Sequence, residues 1–280
     1  MRRELLLAAL LTPWLPRGPA RAATRNAAIT MDRVGGAELV VDDKPVRLNL
    51  LDYLPVGAQL RLPAGARVSL VYLSTSTEWV FAGPGRYQML AEAPSTLSGA
   101  PPAKGANTVS PVQDWHRVDP ARRERMSLGA AVTRSGLAIR IVGPDECDVL
   151  GNPPTLVWQS TRAQRVRVTV HAAATMAMVA QAELDGDRWA AQAPLPPGDY
   201  AWRVAPVTGD VLRGAVARFR VVNGEAARYR YLRSAPTDFA PRLARALMLD
   251  AEGFTHDAQL ILASLAVERP DEPELETWRR

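Results

Sequence analysis

The stretch from residue 57 to residue 90 is cut into short apolar runs by glycine, proline and serine. Within these runs apolar residues recur at every second position, as in Val68, Leu70 and Tyr72. A period of two is the strand signature, and the runs are too short for stable helices. The stretch therefore predicts strands joined by tight turns, in an antiparallel meander or small barrel. The interrupting turns lie at 63–65, 74–77 and 83–85.

A similar pattern begins upstream, where two apolar runs flank residues 42–45 and predict a further hairpin. Together with the segments 54–57 and 65–70 and the strand that leads into 83–85, this order of elements resembles the FecR-type periplasmic domain. The resemblance implies a small antiparallel β domain over residues 23–93. In that family the domain is associated with relaying signals from an outer-membrane transporter to a sigma factor. Such relay proteins carry a cytoplasmic segment before a spanning helix, whereas only four residues precede the first apolar run of this sequence. We therefore expect the FecR-like domain here without the role in sigma-factor regulation.

Residues 94–128 are rich in proline, alanine, serine and glycine, and their apolar residues follow no period. This composition predicts a linker or a long loop. Trp115 lies inside it. An aromatic residue in such a segment indicates packing on a neighbouring domain, and a platform for a ligand is the second interpretation.

Residues 129–224 return to period two, most clearly in the run 165–170, RVRVTV. About seven strands separated by turn residues predict a two-sheet sandwich. The segments PPTLVWQS, LPPGDYAWRV and ARFRVV resemble a fibronectin type III or immunoglobulin-like module. That resemblance implies that Trp158 is buried in the core and that the Tyr200 hydroxyl makes a corner hydrogen bond. Such modules usually bind or space other domains.

Residues 225–280 change to the helical period and predict a helical hairpin. Proline starts the first helix, Gly253 ends it and Pro270 ends the second. Gly253, Ala258 and Pro270 are spaced as in one tetratricopeptide repeat, which this hairpin resembles. One repeat cannot bury both its faces, so the hairpin docks on the sandwich or offers a free face to a partner. The apolar positions are Leu243, Ala246, Leu247 and Ala251 in the first helix, and Ala258, Ile261, Leu262 and Leu265 in the second.

The first 22 residues have the layout of a secretory signal peptide. Two arginines precede the apolar run 5–11, and an Ala-Arg-Ala sequence ends at Ala22. No stretch of the chain reaches the roughly 20 apolar residues of a membrane span. We therefore expect a periplasmic protein with no stable membrane span.

The net charge argues against nucleic-acid binding, and the single cysteine excludes an intramolecular disulfide. Formal net charge is +5, of which the signal segment supplies +3, and the remaining +2 is too small to predict nucleic-acid binding. Nearly all the basic residues are arginine, which we attribute to a GC-rich genome. Cys147 cannot form an intramolecular disulfide, and its acidic neighbours raise rather than lower its pKa.

No motif in the sequence predicts catalysis, a cofactor or a metal. The chain lacks GxSxG, and His116, His171 and His256 fall apart from one another without HxH or HExxH spacing. The acidic pairs at 42–43 and 185–187 lie in tight turns, where aspartate bonds to the backbone. We therefore predict no catalytic, cofactor-binding or metal-binding residues.

These observations predict a mainly β protein with a FecR-like β domain, an immunoglobulin-like β-sandwich and a C-terminal α-helical hairpin. Its predicted role is a non-enzymatic envelope protein that binds another envelope protein as an interaction or signalling scaffold. The alternative is a module that binds peptidoglycan or polysaccharide. Exposed tryptophans in a groove would favour the glycan, and a bare apolar face on the hairpin would favour the protein. The candidate partner-binding residues are Trp115, Trp189, Leu247, Phe254 and Leu262.

Overall fold

The computed structural model describes residues 25–108, 139–162, 164–208, 214–226 and 229–278. Within these ranges the chain is mainly β, with several antiparallel sheets followed by three helices. The strands are β1 (Asn26–Val34), β2 (Glu38–Val41), β3 (Lys44–Arg47), β4 (Tyr53–Pro55), β5 (Gln59–Leu62), β6 (Arg67–Tyr72), β7 (Thr77–Ala82), β8 (Gly85–Met89), β9 (Pro94–Gly99), β10 (Ala103–Thr108), β11 (Ile139–Gly143), β12 (Cys147–Val149), β13 (Thr155–Ser160), β14 (Arg165–Ala172), β15 (Met178–Asp185), β16 (Arg188–Ala190), β17 (Gly198–Pro206) and β18 (Ala215–Val221). The helices are α1 (Phe239–Ala251), α2 (Thr255–Glu268) and α3 (Pro273–Trp278).

Strands β1 to β10, here called the first β unit, form two five-stranded antiparallel sheets. One sheet has the order β10-β7-β6-β1-β4 and the other the order β3-β2-β5-β8-β9. Alternation along each strand sends apolar side chains into a shared core, as in β5, where Leu60 and Leu62 are buried and Arg61 is exposed. Phe81 of one sheet meets Tyr87 of the other edge to face, with ring centroids 4.9 Å apart.

The predicted linker at residues 94–128 is corrected in its first part. Residues 94–99 and 103–108 are the edge strands β9 and β10, each paired with one neighbour of the first β unit. The sequence did not predict β9 because its mostly exposed side chains follow no apolar alternation, and the strand pairs with β8 through its backbone. The rest of the predicted linker lies outside the described residues, as does the predicted signal segment.

Strands β11 to β18, here called the second β unit, form a sheet of three strands and a sheet of five. The orders are β11-β13-β16 and β12-β18-β17-β14-β15, with β12 parallel to β18 and every other pair antiparallel. Trp158 is fully buried between the sheets, as expected, with its ring 6.4 Å from that of Trp202. The Tyr200 hydroxyl donates to the carbonyl of Pro196 at 2.7 Å, four residues upstream.

Three helices follow where two were predicted. Gly253 takes a φ of +92° after α1, a left-handed conformation that glycine adopts without strain. Pro270 stops α2, and Pro273 then opens the short helix α3 at its first position. None of the described helices is long and apolar enough to cross a membrane.

The helices pack on both β units. Apolar residues of the three helices form one core with residues of β1, β6 and the segment before β4 in the first β unit, and the α1–α2 corner forms another with the second β unit. The first-unit residues in the shared core are Ile29, Met31, Leu50, Leu51 and Val71. The second cluster contains Leu150, Tyr229, Leu232, Leu249, Phe254 and Ala258.

The start of α2 is anchored to the second β unit by two neighbouring polar side chains. Asp257 accepts hydrogen bonds from the backbone N–H groups of Leu150 and Gly151, at 2.6 and 3.1 Å. The Nε2–H of His256 donates to the Thr155 carbonyl at 2.6 Å. A Cβ at Gly143 would lie 2.5 Å from the His256 ring, so this junction requires glycine there.

A buried ion pair joins the start of α3 to the first β unit. Arg33 donates from Nη2 to Oε2 of Glu272 at 2.7 Å, and the two side chains are only 6% and 1% exposed. Arg269 adds a hydrogen bond to the Arg33 carbonyl at 3.0 Å and an ion pair with Asp32 at 3.1 Å. The guanidinium of Arg269 also lies over the Phe239 ring.

We predict that Glu272→Gln lowers the free energy of unfolding by about 3–5 kcal/mol, because it leaves the Arg33 charge buried without a counter-ion. Urea titration followed by circular dichroism measures the loss. The double substitution Arg33→Met/Glu272→Met removes both charges and should cost clearly less than the single change. Arg167→Met, which breaks an exposed pair with Glu183, is the matched control, with an expected cost of about 0–1 kcal/mol. Equal losses from all three variants would contradict the prediction.

Candidate binding surfaces

Two of the five candidate partner-binding residues are tryptophans. Trp115 lies outside the described residues. Trp189 is on β16 opposite Leu156, where its half-buried ring packs against the core of the second β unit. One side of its indole ring therefore packs against the core of the second β unit, and only the rest of the ring is accessible to a ligand.

The expectation of a free helical face at Leu247, Phe254 and Leu262 is corrected. Their side chains are 1%, 2% and 0% exposed. Leu247 and Leu262 lie in the core shared with the first β unit, and Phe254 meets Tyr229 edge to face at 5.4 Å. Since the two β units cover both apolar faces, no partner can reach these side chains in this fold.

The tryptophan groove that would favour a glycan is not formed by the described residues. Trp158 and Trp202 are buried in the second β unit. Trp79 is half-buried and lies under the Lys104 ammonium, 5.6 Å from the ring centroid. A groove of about 1130 Å³ on the first β unit has no aromatic residue in its lining.

Cys147 is the single cysteine of the chain, and its thiol is free. Burial is the main cause that raises its pKa to about 11, and the Asp257, Asp145 and Asp148 carboxylates act in the same direction. The sequence had indicated the acidic neighbours, and the fold adds the larger effect of burial. Within the described ranges no three His, Cys, Asp or Glu side chains gather as a metal site would require.

The edge strand β15 is a surface that the sequence did not single out. It is eight residues long, the longest edge strand among the described sheets, and within the described ranges only β14 pairs with it. Met178 and Val179 at its start are 53% and 44% exposed, and Met176 in the preceding turn is 68% exposed. An open edge presents unpaired backbone N–H and C=O groups in a row, which another strand can bind.

Other edges of the chain carry features that disfavour strand pairing. β3 contains Lys44, Pro45 and Arg47 in only four residues, and β9 begins with Pro94. On β15 the charged residues stand only near its end. Residues 178–182 therefore form an edge with neither charge nor proline. An exposed strand sequence without charge or proline is the signal that could have identified β15 from the sequence.

The 1130 Å³ groove lies on the first β unit, where the ends of β2, β5, β8 and β9 come together. Its lining combines exposed arginines with glycine and proline residues, most of them from turns at the strand ends. The lining includes Gly35, Gly36, Glu38, Arg47, Arg61, Pro63, Pro84, Gly85, Arg86, Ser98, Gly99 and Asp271.

No family model matches this chain, and the comparison with curated proteins finds no similar sequence.

We predict that the Cys147 thiol reacts slowly with iodoacetamide at pH 7.5, since only the thiolate is nucleophilic and the raised pKa keeps the thiol protonated. The alkylation rate of the folded protein should keep rising with pH beyond 9, where an ordinary cysteine is already mostly ionised. Mass spectrometry of timed samples measures the rate, and the urea-unfolded chain is the control. A folded-state rate that levels off near pH 8.5 would contradict the prediction.

Proposed function

We propose that this protein is an exported, non-enzymatic interaction module of the cell envelope, which binds a partner protein at the open edge of β15. The observation that carries the proposal is the uncharged edge segment 178–182 with exposed Met178 and Val179. A partner strand added there would gain backbone hydrogen bonds along the edge and apolar contact with the two side chains. Methionine suits such a site because its unbranched side chain adapts to different surfaces.

The strand order of the second β unit supports an immunoglobulin-like module. A three-stranded sheet faces a five-stranded one, and the short β12 runs parallel to β18 at one edge. Trp158 in the core and the Tyr200 corner bond are the two residue features that such a module would share. Sandwiches of this class commonly act as binding domains, and a binding role is therefore part of the proposal.

The first β unit supports a FecR-like assignment through the order of its elements. Segment 54–57 begins on β4 and runs into the following turn, 65–70 leads into β6, and 83–85 forms the turn between β7 and β8. This likeness and the signal-like segment at residues 1–22 together support a periplasmic location. The proposal covers the FecR-like domain and its location, and leaves out sigma-factor signalling.

The helices give the module a fixed shape. Because their apolar faces are covered by the two β units, they act as a clamp and leave sheet edges and grooves for contact with other molecules. A truncated chain without the helices would uncover Ile29, Met31 and Leu51 and bind apolar surfaces without selectivity. Surface substitutions in the full mature chain therefore make the sounder test.

The test uses the mature chain from residue 23 as bait for a solubilised native envelope, with purified sacculi in a parallel arm. Met178→Lys/Val179→Lys places charges on the open edge and should abolish capture of a partner protein, since lysine disfavours strand addition. Val267→Lys changes a valine that is 75% exposed on α2, and this control should capture as the unmodified chain does.

Quantitative mass spectrometry of the retained proteins gives the readout. A protein captured by the unmodified chain and by the control, and lost from the edge variant, supports the proposal. Equal capture by all three baits would show that β15 is not the docking edge. Retention on sacculi without any protein partner would replace the proposal with glycan recognition.

A further inference from the structure

A row of directly opposed residues crosses the outer face of one sheet in the first β unit. Arg47 of β3 faces Glu38 of β2, Glu38 faces Arg61 of β5, and Arg61 faces Arg86 of β8. Ser98 of β9 completes the row opposite Arg86. All five side chains are exposed, and all five line the 1130 Å³ groove.

Arg61 and Arg86 are like charges in direct cross-strand opposition, an arrangement that destabilises a sheet. Glu38 stands opposite Arg61 on the other side and also opposite Arg47, so one acidic residue neighbours two arginines. Arg86 has only a long hydrogen bond of 3.5 Å to Gln59. Within the described ranges neither Arg61 nor Arg86 forms an ion pair, and Arg86 has no acidic residue opposite it on either neighbouring strand.

The groove in front of these arginines is suited to an extended chain. Its volume of about 1130 Å³ exceeds the usual range of small-molecule pockets, roughly 300–1,000 Å³. Glycine and proline residues make up a large share of the lining, and glycine lets a ligand approach the backbone closely. No aromatic residue lines it, so it offers sugars or bases no ring to stack on.

We propose that this groove binds an extended acidic peptide segment of a partner protein. Arg61 and Arg86 lie on adjacent strands, about 4.8 Å apart, and together hold one carboxylate through paired guanidinium hydrogen bonds. Arg47 lies two strands from Arg61, at roughly 9.6 Å, and takes a second carboxylate. Glu38 between them repels a third, so the fitting sequence has two acidic residues about four positions apart, with neutral or basic residues between them.

The groove is independent of the edge strand β15, because the two lie on different β units. A variant of one surface leaves the other unchanged. Failure of either proposal can thus be recognised separately.

The test measures fluorescence anisotropy of a labelled peptide of about 8 residues, enough to span five strands, with glutamate at two positions four residues apart and serine elsewhere. The same peptide with lysine in place of glutamate serves as the charge control. We expect the acidic peptide alone to bind, and more weakly as salt rises. Arg61→Gln/Arg86→Gln should weaken binding at least about tenfold, as loss of a charge-assisted hydrogen bond implies.

Arg67→Gln is the matched variant, since Arg67 is exposed on the same β unit outside the groove, and it should bind the peptide unchanged. Thermal unfolding of the double variant is a second readout. The melting temperature should stay equal or rise, because the substitution removes a like-charge pair. A lower melting temperature would assign the two arginines to the fold and overturn the proposal.

Two other results would also overturn it. One is equal peptide affinity in the unmodified chain and in Arg61→Gln/Arg86→Gln. The other is displacement of the peptide by polygalacturonate at the same concentration of carboxylate, which would show that the groove recognises an anionic polysaccharide and not a peptide chain.

Discussion

The fold depends on burial of the helical apolar faces between two β units that share no sheet. Leu243, Leu247 and Leu262 complete a core that the first β unit leaves open at Ile29 and Met31. The corner between α1 and α2 packs into a second core, which contains Leu232 and Phe254. Apolar burial makes these contacts favourable, while the buried polar groups give them direction. Asp257 and Glu272 each meet donors on a different β unit, so one orientation of the helices satisfies both.

This arrangement determines which surfaces remain for function. A helical repeat that is covered on both faces no longer offers an apolar groove, and binding is left to sheet edges and to outward-facing strand residues. On the second β unit the open surface is an uncharged stretch of edge at Met178 and Val179. On the first it is a row of arginines whose mutual repulsion costs stability. Both surfaces break a local rule of sheet design, and such departures are where function is most often found.

Much of the architecture could be read from local pattern. Period two in RVRVTV marked β14, the pair Asp42 and Asp43 marked a hairpin turn, where both residues take positive φ, and Gly253 marked the end of α1. These signals are local because backbone conformation and alternation depend on near neighbours. Strands β9 and β10 were missed because edge strands need no apolar alternation. Leu247 and Leu262 are buried within the chain itself, because an apolar stripe predicts that a face is buried and not what buries it.

The sequence by itself determined the element types, the two blocks of strands, the helical hairpin and the acidic setting of Cys147. Periodicity, turn residues and near-neighbour charge are all written within a few positions along the chain. Only the tertiary structure decided that the helices clamp both β units, that Arg33 meets Glu272 across the chain, and that Arg61 stands opposite Arg86. These outcomes depend on strand register and on packing between distant segments. A shift of register by one residue would send every side chain to the other face, and no local pattern specifies it completely.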